Sequence, residues 1–362
     1  MTDRESVRDR KGLDRGALRA DLRAAVPDAT AALVITAGIF VWLYARVREG
    51  TSATVEIMPF LADADTYLMY WLCQAFGWSA MLWAWLTTML GLLRSGRQPR
   101  WFPVPPARLE RWHRSTSLTT IALMFLHAVF FFTEKARANE DGLGMVARWG
   151  KAFVETFVPG AYPSGTGKIA ILIGLLALYL AIPLGLAYYF RARLGARSWR
   201  ALHRFVLVVY VLSIWHTLLY SSNVWFDGWP RTTLWLLQLP PALLLLTRLL
   251  VPARPSDRGG ALRKRPLALT LRVGAVVAVA GVIATIVVVA VSGRDGGRAH
   301  GVDGAGLNVT QAMVWTGLAL FAVILVVAVG VARRMERRQT ERRSVPRGKA
   351  DERAGQFTSE TQ

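Results

Sequence analysis

Apolar residues along this chain gather into blocks of about 20, the length that crosses a bilayer as a helix. Short polar stretches rich in arginine separate them. Eight such blocks stand out, at roughly 29–48, 67–93, 112–133, 168–190, 200–221, 231–251, 270–292 and 311–332. The pattern predicts an all-α fold: a polytopic membrane helix bundle of about eight transmembrane helices. Between Glu134 and Lys168, Met145, Trp149, Phe153 and Phe157 recur at helical spacing with charges between them. That spacing predicts an amphipathic helix lying in the membrane interface, as an anchor or as a cover for a site beneath it. Pro183 and the Pro240–Pro241 pair should bend the fourth and sixth spans, because proline removes a backbone donor.

The charge pattern orients the bundle. Of the 44 Lys and Arg residues, 34 fall in 1–28, 94–114, 191–204, 248–272 and 333–353, which are alternate connections between the blocks. Cytoplasmic loops carry the basic excess, so both termini are expected on the cytoplasmic side of a cell membrane, plasma or inner. A net charge of +20 would suit a nucleic-acid binder only on a soluble basic face. Here the charge lies between apolar blocks, and the expected partner is the lipid bilayer, not nucleic acid. The single cysteine, Cys73, excludes an intramolecular disulfide and a cysteine-rich metal site. The Arg- and Asp-rich N-terminus has no early apolar core, so no cleavable signal peptide is expected.

Five segments follow: a basic cytoplasmic segment 1–28, a six-helix core 29–252, a basic linker 253–269, a two-helix hairpin 270–332 and a basic tail 333–362. Thirteen of the 14 Trp precede residue 255, and Gly274, Ala278 and Gly281 suggest close packing in the seventh helix. The hairpin is therefore expected to be an appendage, separate from the core. The tail is expected to be disordered past Arg343.

Four of the five histidines sit in two of the blocks. His113 and His127 lie on the third, and His203 and His216 on the fifth. Ionisable side chains inside a bilayer are costly and usually functional. In the predicted topology both helices run outward, so His113 and His203 share the inner depth and His127 and His216 the outer one. His113 and His127 are separated by 14 residues, a rise of about 21 Å and about 40° short of four turns, so they share a face. His203 and His216 are 13 apart, with a mismatch of about 140° on a straight helix that only a distorted helix would remove. Neutral imidazoles are good axial ligands for haem iron. Two helices with two histidines each can hold two b-type haems stacked across a membrane. Arg111, Arg114, Arg200 and Arg204 flank the inner histidines, where haem propionates would need cations, although plain positive-inside topology explains them equally well. His300, in a Gly-rich external loop, reads as a solvated bystander.

These histidine pairs, with the run Arg197-Ser198-Trp199-Arg200-Ala201-Leu202-His203-Arg204 entering the fifth helix, resemble the ferric reductase-like transmembrane domain. Ferric reductases, NADPH oxidases and the haem subunit of bacterial methionine sulfoxide reductase systems share that domain. The resemblance covers about residues 30–250. It implies a haem between His113 and His203, another between His127 and His216, and electron transfer to an external acceptor such as ferric iron.

Relatives of the reductase and oxidase type carry a flavin and nicotinamide domain after the sixth helix, and no Gly-rich nucleotide fingerprint is found here. Gly165-Thr166-Gly167-Lys168 lacks the glycine spacing of a phosphate loop. The expected donor is a separate protein, a quinol, or a bound flavin the sequence does not reveal. The chain would then be an oxidoreductase component that needs a separate reductase or donor. Glu134, Glu140 and Asp141 are candidates to attract a cationic iron complex, or are simply solvated. One alternative is a haem subunit feeding a periplasmic oxidoreductase. Another, of a different class, is a haem-free transporter or structural membrane subunit, although no repeat relates the two halves.

Overall fold

The computed structural model describes residues 13–96, 103–163, 165–251, 266–292 and 297–300, with separate stretches between 312 and 334. In chain order the principal helices are α1 (Arg15–Arg48), α2 (Leu68–Ser95), α3 (Pro106–Ala138), α4 (Met145–Phe157) and α5 (Gly165–Leu186). They continue as α6 (Ala196–His203), α7 (Val206–Tyr220), α8 (Trp229–Leu236), α9 (Leu239–Leu250) and α10 (Pro266–Ser292). No strand occurs among the described residues; Phe226 and Arg298 form an isolated bridge.

Six helices are long and apolar enough to cross a membrane, with α8 and α9 together forming one of them. The chain is a multi-pass membrane helix bundle. The fifth and eighth expected spans appear as shorter apolar helices, Val206–Tyr220 and Trp315–Ile324. The fifth is short because the chain turns at Arg204 and Phe205 and divides the expected span into α6 and α7. Most of the expected linker and the basic tail lie outside the described residues.

The first helix starts at Arg15, well before the apolar block. Asp14 caps it by accepting from the Ala17 N–H at 3.0 Å, an N-terminal signal that the hydrophobic pattern does not carry. This polar extension is held at the basic end of the bundle. Asp21 accepts a hydrogen bond from the Tyr189 hydroxyl at 3.0 Å and stands 3.6 Å from the Arg114 Nε.

The core is built where α1, α2 and α3 meet. Ala32, Phe76, Ala80, Trp83 and Leu123 form one cluster, and Phe76 stacks on Phe130 at 4.9 Å. Its polar atoms are paired, as burial requires: Thr36 donates to Ser79 at 2.8 Å, and Trp83 Nε1 to Asp28. A second cluster, Ala177, Ala181, Leu184 and Val209, joins α5 to α7 and receives Ile121 and Met124 from α3. Gly185 lets α5 and α3 close up, since a Cβ there would stand 2.6 Å from Ile121.

The amphipathic α4 forms where the spacing predicts it. Phe132 of α3 packs on its Trp149 and Phe157, while Val146, in the first turn of the helix, is 87% exposed. The last helices are in contact with the core: α10 packs along α9, and Trp315 packs against Ala170, Ile173 and Leu219. His300 is also engaged rather than free in solvent. Its ring stacks on Phe226 at 4.4 Å, and Nδ1 lies 2.8 Å from a Glu56 carboxylate oxygen.

Candidate functional site

The fold brings the four histidines of α3, α6 and α7 together as two facing pairs. His113 faces His203 at the arginine-rich end of the bundle, with ring centroids 5.9 Å apart and planes at 84°. Toward the opposite end His127 faces His216 at 6.1 Å and 74°. The turn at Arg204 and Phe205 removes the angular mismatch expected of a straight fifth helix, because His203 ends α6 and His216 belongs to α7. Distortion of that helix was the condition for the second pair to meet the first.

Three of the four rings are fixed by one device. His127 Nδ1 lies 2.8 Å from the Cys73 carbonyl oxygen, His113 Nδ1 3.0 Å from that of Thr87, and His216 Nδ1 2.8 Å from that of Ala170. Four residues after each carbonyl comes a glycine: Gly77, Gly91 and Gly174. Side chains on a helix lean toward its N-terminus, so a residue at that position would cover the carbonyl below it. A Cβ at Gly77 or Gly91 would stand 3.0 Å from the facing ring, and one at Gly174 2.8 Å. Glycine opens the helix surface, and the imidazole lies against bare backbone.

A carbonyl only accepts, so in these three rings Nδ1 carries the proton and Nε2 keeps a lone pair. His127 and His216 therefore face each other with two acceptors and cannot hydrogen-bond directly. Such a pair calls for an electrophile between the rings. Nδ1–H donation to a backbone carbonyl is also the usual way a metal-bound histidine is oriented. Two imidazoles sharing one metal, with bonds of about 2.1 Å and about 1.1 Å from nitrogen to centroid, would have centroids roughly 6.4 Å apart. Both pairs are near that separation, so the residues present fit a haem iron held between two axial imidazoles.

A cavity of about 150 Å³ adjoins the His127–His216 pair, lined by Gly77, Gly174, Met81, Met124, Phe131 and Thr156, among others. Thr156 comes from the interfacial α4, which thereby covers this site. It is 2% exposed, and its hydroxyl has no hydrogen-bond partner among the described residues. Tyr220 stacks on the His216 ring at 6.0 Å and 15°. Its hydroxyl meets that of Tyr162 at 2.9 Å.

The basic end differs. His203 has no carbonyl partner among the described residues; Trp199, one turn earlier on α6, stacks on it at 5.6 Å and 23°. Of the flanking arginines, Arg111 and Arg204 are exposed, and the Arg200 side chain lies outside the described residues. Arg114 is engaged by Asp21 and donates to the Tyr188 hydroxyl at 2.7 Å. The cations whose charge bears on His203 are Arg94 and Arg248, from the ends of α2 and α9. Sequence proximity missed both; their position at the basic ends of neighbouring spans was the available signal. Toward the other face Glu134 is buried and bonded to Arg137, Asp141 pairs with Lys151, and Glu140 stands 3.8 Å from Lys135. These acids are balanced locally.

Residues 76–214 match the family described as ferric reductase like transmembrane component. No curated protein and no solved structure matches the chain. The matched stretch holds His113, His127 and His203 with the three glycines, and stops two residues before His216. Within the helical bundle, residues 76–214 are thus similar to a ferric reductase-like transmembrane domain.

Proposed function

We propose that this protein carries electrons across a cell membrane on two b-type haems, one held by His113 and His203 and the other by His127 and His216. The observation that carries this reading is the approach of the His127 and His216 rings to 6.1 Å between centroids, each with its Nδ1 on a backbone carbonyl and its Nε2 left as an acceptor. Haem, when bound, supplies reversible one-electron chemistry whose potential is set by its ligands and surroundings. The chain's own residues do the rest. His113 with His203, and His127 with His216, would hold the two irons from both sides, which would leave no position for a coordinated substrate and make transfer outer-sphere. Packing by Met81, Met124 and Phe131 keeps the distal centre apolar, and α4 shields it from the outer water. Arg94, Arg114 and Arg248 place positive charge at the basic end, where haem carboxylates need it.

In this reading the arginine-rich end faces the cytoplasm. A cytoplasmic protein or a quinol supplies electrons there, and an external acceptor such as ferric iron takes them at the far end. The test is a dithionite-reduced minus oxidised absorbance spectrum of the purified protein, with haem quantified per chain, for wild type, His127→Leu and His203→Leu. The expected result is close to two b-type haems in the wild type and about one in each variant. Folded protein without haem would remove the reading and restore the transporter or structural alternative.

A further inference from the structure

The two centres are not built alike, and the difference bears on their order of reduction. Resting on the haem reading above, we infer that the distal centre, between His127 and His216, is the harder of the two to reduce, because both of its ligand rings are tied to backbone carbonyls whereas at the basic end only His113 is.

The argument runs through the ring nitrogens. An Nδ1–H that donates to a carbonyl leaves more electron density on the imidazole and makes Nε2 a stronger donor to a metal. A stronger donor favours the oxidised, more positive metal over the reduced one. Distally both rings are so held, by the carbonyls of Cys73 and Ala170 at 2.8 Å each. At the basic end His113 is held by Thr87 at 3.0 Å, while His203 has a stacked Trp199 in place of an acceptor.

Charge acts in the same direction. Arg94 and Arg114 bear on His113, and Arg94 and Arg248 on His203, and nearby cations favour the electron-rich state. No charged side chain lines the distal cavity. Enclosure acts the other way, since the apolar cavity around His127 and His216 favours the less charged, reduced centre; the two carbonyl bonds and the distance from the arginines outweigh it. Gly77 and Gly174 are thus positioning residues for the distal potential: they admit each ring to its carbonyl.

The test is equilibrium reductive potentiometry of the full-length purified protein, followed in the haem absorbance band. His203→Leu and His216→Leu, each leaving one centre, assign the two components. The distal component should be reduced at the more negative potential. Gly174→Ala, which pushes His216 off the Ala170 carbonyl, should shift that component to more positive potential and leave the other in place. If Gly174→Ala loses the distal haem, Gly77→Ala makes the same test through His127. A distal component at equal or more positive potential overturns the inference while leaving the di-haem reading intact. A glycine variant that moves neither component, or both equally, also overturns it. Folded wild-type protein without haem removes both.

Discussion

The two histidine pairs share a separation, a steep angle between rings and one ligand-bearing helix, α3, yet they are held differently. The distal pair is fastened on both sides by backbone, through the carbonyls of Cys73 and Ala170 and the glycines that expose them. The basic-end pair is fastened on one side by backbone and on the other by the face of Trp199. A carbonyl in a helix is a rigid acceptor whose position the whole helix fixes. An aromatic face constrains the ring plane but sets neither tautomer nor direction. The comparison teaches that orientation of a buried ligand can reside in residues that contribute no side chain.

Exchanging ligands breaks the comparison most directly. His113→Leu should remove only the basic-end haem and His216→Leu only the distal one, halving the haem recovered per chain in each case; pigment analysis of purified protein checks this. Glycine substitutions come next. Gly174→Ala and Gly77→Ala overpack a ring against backbone and should cost about 1–3 kcal/mol of stability. Gly38→Ala, with nothing within 4 Å, should be neutral or stabilising by up to about 1 kcal/mol. Thermal unfolding in detergent ranks the three, and a drop as large for Gly38→Ala as for Gly174→Ala would refute the cradle.

A smaller effect is expected at the basic end. Asp21→Asn weakens the contacts to Arg114 and Tyr189 and leaves Arg114 short of its counter-charge, at a cost of about 0.5–1.5 kcal/mol in the same assay. Smallest is Trp199→Leu. It removes the stack on His203 and should alter the absorbance or electron-paramagnetic signature of the basic-end haem alone, without loss of pigment. A change confined to the distal signal would place the asymmetry elsewhere.

Much of the architecture was legible in the sequence because bilayer thickness imposes a length on apolar blocks. The amphipathic α4 was legible because Met145, Trp149, Phe153 and Phe157 keep helical period. Two histidines per helix at matching depths announced the pairs. The helix break was not legible, because Arg204 and Phe205 include no proline or glycine to mark it. The glycine cradle was legible but unread: Gly77 and Gly91 are separated by 14 residues, as are His113 and His127, and on antiparallel helices equal spacings place one set against the other. The cations near His203 escaped because Arg94 and Arg248 are remote from it in sequence. His300 escaped because its partners, Phe226 and Glu56, come from separate connections.

The break after His203 has a consequence for energy conversion. Helix α7 has 15 residues, a rise of about 22 Å against a hydrocarbon layer of roughly 30 Å. Relief of such a mismatch by a thinner bilayer would bring the basic-end pair close to the headgroups. Membrane voltage falls across the hydrocarbon, at about 2.3 kcal/mol per charge per 100 mV. On the proposed di-haem reading, an electron passing between the pairs would cover about 21 Å along α3, roughly two thirds of that layer, so that about 1.5 kcal/mol per 100 mV would act on that single step. With the basic end on the negative side, the voltage would pull the electron outward, against the unfavourable order inferred for the two centres. Charging the membrane would speed the outward step and collapsing the voltage would slow it, with no moving part in the protein.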